Sequence, residues 1–183
     1  MRLHYADYWD IHRRRSTRLT ERDYAADGMY FVTICTTGRE CLMGEIVDGE
    51  MRLNEFGTIV HKCWHALPEH FPFVRIDAFA VMPNHVHGIV ILNRACRGKA
   101  TECRGAACCA PTPDKTYHGP FSHSLGAIVR SFKSATTKQV NIMRDSPGER
   151  FWQRNYHDRI IRDDELHRIR EYIKANPARW NKP

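Results

Sequence analysis

A chain of 183 residues, 42% hydrophobic and 27% charged, is long enough for one well-buried domain and too apolar to be wholly disordered. No stretch approaches the length of a membrane span, and the N-terminal residues hold no apolar run of signal-peptide type, so a cytoplasmic protein is expected. The net charge of +7 is unevenly spread: Arg13, Arg14, Arg15 and Arg18 sit near the start, and Arg154, Arg159, Arg162, Arg168, Arg170, Lys174 and Arg179 load the last quarter. That pattern favours a polyanionic partner, nucleic acid above all. Seven cysteines, an odd count without an export signal, read as reduced thiols.

Residues 1–28 read as a basic arm, rich in Arg and Tyr and without helical periodicity. Residues 29–37, dense in β-branched and aromatic side chains, predict a central strand. Residues 45–53 carry a hairpin signal around Asp48-Gly49. Asn54 is a plausible N-cap for a helix to about Leu67, with Phe56, Ile59, Val60, Cys63, Trp64 and Leu67 as its apolar stripe and Pro68 ending it. Two strands follow, at 74–81 and 85–92, turned into one another by Pro83-Asn84 and therefore antiparallel.

Residues 93–123 are a low-complexity run of Arg, Gly, Ala, Cys, Pro and Thr, expected to be a flexible insertion. Residues 124–143 predict a second amphipathic helix and 151–161 a short extended segment. Asp163 or Asp164 caps a final helix expected to run to about Asn176 and to be ended by Pro177. The order implies one α+β domain over 29–183: an antiparallel sheet with helices packed on one face.

His85 and His87 flank Val86 in the second strand of the tight pair. Alternation puts both imidazoles on one side of the sheet, either as half of a divalent-metal site or as an exposed, hydrogen-bonded face. On the final helix Tyr172 and Asn176 are four apart and share a face, beside a docking stripe of Leu166, Ile169 and Ile173. They either look into a site or serve as a boundary core residue and a helix cap before Pro177. His61 and His65, four apart on the first helix, are a metal clasp or a solvated face. Cys96, Cys103, Cys108, Cys109 and His118 match no familiar zinc spacing.

The blocks Met82-Pro83-Asn84-His85-Val86-His87, Phe151-Trp152-Gln153-Arg154-Asn155-Tyr156, Asp158-Arg159-Ile160-Ile161-Arg162 and Tyr172-Ile173-Lys174-Ala175-Asn176-Pro177 together resemble the REP-associated tyrosine transposases. These are single-tyrosine HUH nucleases, related to small insertion-sequence transposases. The resemblance runs from about Arg13 to Trp180 and fails only near 93–123. It implies an RRM-like, ferredoxin-like sheet (the HUH nuclease fold), His85 and His87 as metal ligands, and Tyr172 as the nucleophile. Asn176 occupies the third-ligand position, where related insertion-sequence enzymes carry Gln.

The implied activity is transposase-like: a metal-dependent endonuclease and strand transferase cutting single-stranded DNA beside hairpin-forming repetitive extragenic palindromes, through a 5′-phosphotyrosine. An amide oxygen in place of a carboxylate suits loosely held Mg²⁺ or Mn²⁺. A phenol ionises near pH 10, so Lys174, Arg170 and the cation are expected to favour the phenolate. Arg13, Arg14, Arg15, Lys133, Arg154, Arg159, Arg162 and Lys174 are candidate phosphate contacts, and Trp152 and Tyr156 candidate stacking platforms. Trp152 has a core anchor as its alternative, and Tyr156 competes with Tyr172 as nucleophile. Relatives include monomers and homodimers.

Other phosphoryl-transfer devices are missing from the sequence. No Gly-x-x-x-x-Gly-Lys loop is present, Gly88 and Ile89 replace a third alternating histidine, and no three spaced carboxylates suggest a two-metal recombinase. Two other classes remain open: a DNA-hairpin-binding protein that no longer cuts, and an RNA-binding module on the same sheet.

Overall fold

The computed structural model describes residues 26–93 and 124–180. The basic arm with Arg13, Arg14 and Arg15, and the Cys-rich connection with Cys96, Cys103, Cys108, Cys109 and His118, lie outside the described residues. In chain order the elements are β1 (Gly28–Cys35), β2 (Gly44–Val47), β3 (Glu50–Leu53), α1 (Glu55–His65), α2 (Leu67–His70), β4 (Val74–Val81), β5 (His85–Leu92), α3 (Leu125–Met143), β6 (His157–Ile161) and α4 (Leu166–Arg179). Among the described residues no helix is long and apolar enough to cross a membrane.

Four strands form one antiparallel sheet in the order β4-β5-β1-β6. The expected hairpin is present as a separate two-stranded sheet, β2–β3. Asp48 and Gly49 turn it with φ of 53° and 80°, the left-handed pair that matches strand twist in a two-residue loop. Its tip lies against Ala178 of α4.

Local chemistry sets the helix ends. The Asn54 side chain accepts from Gly57 N at 3.0 Å and starts α1, and Ser124 accepts from Ala127 N at 3.3 Å and starts α3. Pro68 stands in the first turn of α2, where its missing N–H costs nothing, two residues beyond the Ala66 that ends α1. Pro177 does not end α4, which continues to Arg179. So near the C-terminus a proline forfeits a single intrahelical bond, and its own carbonyl still accepts from Trp180 N at 3.2 Å.

α1 and α3 cover one face of the sheet over Tyr30, Val32, Ile34, Val86 and Val90. Gly88 makes this packing possible: a Cβ there would lie 2.2 Å from Cζ2 of Trp64, whose indole stacks on Phe79 at 4.6 Å. The opposite face is also covered. Ile169 and Ile173 of α4 pack on Ile89 and Ile161. The expectation of helices on one face thus describes α1 and α3, and α4 adds a third layer. The reason lies in β5, whose alternate residues are apolar on both sides, the mark of a strand buried twice.

Trp152, a candidate stacking platform, is instead a core anchor. It is 2% exposed, and its Nε1 donates to Thr136 Oγ1 at 2.6 Å beneath Phe132. Lys133 is likewise committed: its ammonium donates to the carbonyls of Gln153 and Arg154 at 2.5 and 3.1 Å, which secures the segment entering β6 rather than a phosphate. Burial pulls its pKa down to about 8, with the Arg150 charge a smaller cause.

Candidate active site between the strand histidines and α4

His85 and His87 leave β5 on the face that α4 covers, and their Nε2 atoms stand 2.9 Å apart. Two nitrogens each about 2.1 Å from a shared cation and about 90° apart would be about 3.0 Å from one another, so this spacing fits adjacent ligands of one ion. Each ring is held from behind. Asn84 donates its Nδ2 to the Arg39 carbonyl at 3.1 Å, so its Oδ1, 2.7 Å from His85 Nδ1, must be an acceptor. His85 therefore carries its proton on Nδ1 and leaves Nε2 a free lone pair. Thr33, directly opposite His87 on β1, places Oγ1 2.9 Å from His87 Nδ1.

A hydroxyl both donates and accepts, so Thr33 serves either tautomer of His87. Without a cation, His87 Nε2–H can donate to His85. A cation bound at Nε2 would require the proton on Nδ1, where Thr33 could accept it. Both imidazoles are strongly disposed to stay neutral. Burial, assisted by the Arg39 charge, lowers His85 to about 4, and burial, assisted by His85, lowers His87 to about 3. Neutral imidazole is the form that binds metals.

α4 supplies the other wall. The Tyr172 ring lies 5.5 Å from that of His87 and edge-on to Phe31 at 6.1 Å, yet the residue remains 42% exposed. Two turns further on, the Trp180 ring lies 5.8 Å from His85. Asn176 falls between them on the same helical row, and its Nδ2 is buried without a hydrogen-bond partner among the described residues. Turning that amide over presents its oxygen at the same place. Of the ordinary readings of this pair, the cap fails, because α4 runs past Asn176 to Arg179, whereas Tyr172 does lie at the edge of the α4 layer, half in contact with Phe31 and His87 and half in solvent.

The donors on the two walls are two imidazole nitrogens 2.9 Å apart on β5 and, on α4, one buried amide. Among the described residues no group of three or more His, Cys, Asp or Glu side chains is placed to hold a metal. Three neutral donors suit a weakly held cation with coordination positions left for water and substrate. His61 and His65, 4.4 Å apart by ring centroid, stay on the exposed side of α1.

The remaining candidates divide. Tyr156 is half-buried and packs with the α1–α3 core, on the far side of the sheet from the histidines. Arg154 and Arg162 are exposed, Arg159 pairs with Glu165, and Lys174 lies 3.6 Å from Glu171. Arg170 does not serve the phenol, because Asp77 of β4 holds it with Nε 3.1 Å from both carboxylate oxygens and Nη2 2.5 Å from Oδ2. Sequence reasoning missed Thr33, Asn84, Arg39, Trp180 and Asp77. Only the strand register joins Thr33 to His87, although Asn84, beside His85 at the corner, was within reach of a local reading.

No protein-family model matches the chain. It is 41% identical over 174 residues to an uncharacterized protein of Haemophilus influenzae, an alignment that spans 93% of this chain and 91% of that protein. Among solved structures it is similar to a REP-associated tyrosine transposase bound to a REP hairpin, at 17% identity and a TM-score of 0.57, over 90% of this chain and 75% of that one. The chain belongs to one family with the Haemophilus influenzae protein, and its fold is that of a REP-associated tyrosine transposase.

Proposed function

We propose that this protein is a metal-dependent single-stranded DNA endonuclease and strand transferase of the tyrosine transposase kind, acting beside hairpin-forming repeats. One observation carries the reading: a solvent-open tyrosine ring stands 5.5 Å from that of buried His87, whose Nε2 is 2.9 Å from that of half-buried His85. The four motif blocks and the shared fold add support, and the neighbour's bound REP hairpin suggests the substrate class.

His85, His87 and Asn176 would hold a divalent cation, Mg²⁺ or Mn²⁺, which when bound would supply Lewis acidity for the scissile phosphate. The chain's own residues do the rest. Tyr172 Oη attacks phosphorus and releases its proton to solvent, to which the ring is open. The P–O3′ bond breaks, its electron pair leaves with the 3′ oxygen, and that oxygen takes up a proton. The products are a 5′-phosphotyrosine and a free 3′ hydroxyl. One phosphodiester replaces another, so a 3′ hydroxyl can attack in reverse and rejoin strands without ATP. Arg39, whose charge reaches His85, together with exposed Arg154 and Arg162, offers cations to the DNA backbone.

The test is incubation with single-stranded hairpin DNA drawn from repeats of the host chromosome, plus Mn²⁺, followed by a denaturing gel. Wild type is expected to form a covalent adduct, abolished by EDTA and by Tyr172→Phe, with hairpin binding retained. Hairpin binding without adduct on every repeat would identify a non-cleaving DNA-binding protein. EDTA-insensitive preference for RNA would identify an RNA-binding module.

A further inference from the structure

The ion pair between Asp77 and Arg170 is the most directional contact across the α4–sheet seam. Three hydrogen bonds join the two side chains, and Asp77 Oδ1 also accepts from Ala78 N at 2.8 Å. Asp77 sits in the break of register between Ile76 and Phe79, where β4 departs from regular pairing with β5. Such a break re-aims a side chain, here toward the helix.

Beside the ion pair, Ile169 and Ile173 rest on Ile89 and Ile161. Dispersion contacts of this kind have no preferred direction, so they hold the helix down without fixing its rotation about its own axis. The helical wheel shows what does. At about 100° per residue, Arg170 stands about 100° to one side of Ile169, and Tyr172 about 60° to the other. A tether on one flank sets the height of the opposite flank.

We propose that Asp77 and Arg170 are positioning residues that lock the roll of α4 and so hold Tyr172 against the histidine pair. The proposal rests on the reading of Tyr172 as nucleophile. Side chains reach about 5–6 Å from a helix axis, so a roll of about 20° carries the phenol about 2 Å. A misplacement of about 1 Å in a reacting group is enough to slow a reaction about 100-fold.

The test uses the full chain and two charge-removing variants, the isosteric Asp77→Asn and the shorter Arg170→Gln, with two readouts. In wild type the Tyr172 and His87 rings are close enough for nuclear Overhauser effects. Both variants are expected to lose those signals while the Trp64–Phe79 signals, on the other face, persist. Both are also expected to form the DNA adduct about 10- to 100-fold more slowly, with hairpin affinity within twofold of wild type. Ring signals that persist in both variants would overturn the lock, as would an unchanged rate once they are lost. Simultaneous loss of the Trp64–Phe79 signals would reduce the pair to general scaffolding. A wild type that shows the ring signals but forms no adduct would sink the nuclease reading instead, leaving the lock to the ring signals alone.

Discussion

Thr33 is the residue on which the metal reading of His87 turns, because its hydroxyl is the group that can accept the Nδ1 proton and free Nε2. Thr33→Val keeps the shape and the β-branch but removes that acceptor. The expected result is a 10- to 100-fold loss of Mn²⁺ affinity by calorimetry, in line with other outer-shell partners of metal-bound histidine. Thr33→Ser is expected to retain affinity. The histidine pair and the Tyr172–Asn176 pair were legible in the sequence because period-2 and i,i+4 spacings are local. Thr33 was not, since 54 positions separate it from His87 and only the β1–β5 register joins them. Trp152 and Lys133 mislead for a related reason. An aromatic or a lysine in a basic segment looks like a nucleic-acid contact until burial and hydrogen bonding show it committed inward.

At the level of elements, Gly88 decides how closely α1 approaches the sheet. Adding a methyl group would bring it 2.2 Å from Trp64 Cζ2, on a central strand paired on both sides, so neither backbone nor indole has room to yield. Gly88→Ala is expected to cost about 1–3 kcal/mol in urea unfolding, the usual range for overpacking. Combining it with Trp64→Phe should cost less than the two separate losses added, since the smaller ring vacates the contested space. Strands, helices and the Asp48-Gly49 turn were legible because propensity, capping and turn chemistry agreed there. Pro177 was misread as a stop because proline rules weigh the residue and not how many turns remain beyond it. The pairing of the β2–β3 hairpin with itself alone depends on where β1 and β5 lie, which no local pattern records.

Taken as a molecule, the protein puts its main core on one face of the sheet and its candidate chemistry on the other, under a single helix. The clue to the third layer was present in β5, apolar on both sides, but an antiparallel sheet more often leaves one face to water and that prior prevailed. One consequence is that the α4 layer can loosen while the α1–α3 core stays intact, and acid is the means to show it. Hydrogen bonds from Arg170 hold the Asp77 carboxyl below its ordinary range. Its folded state therefore binds its proton less readily than the unfolded chain does, and the pair contributes fully above the ordinary carboxylate value of about 3.9. That contribution is lost as pH falls below that value and through the lower folded one. Other groups titrate in the same range, so the comparison to make is wild type against Asp77→Asn, in which their effects cancel. Wild type should be the more stable in urea at pH 7, and the gap should shrink as pH is lowered from about 4 toward 2. A gap that stays constant across that range would mean that the carboxylate charge does not hold α4 to the sheet.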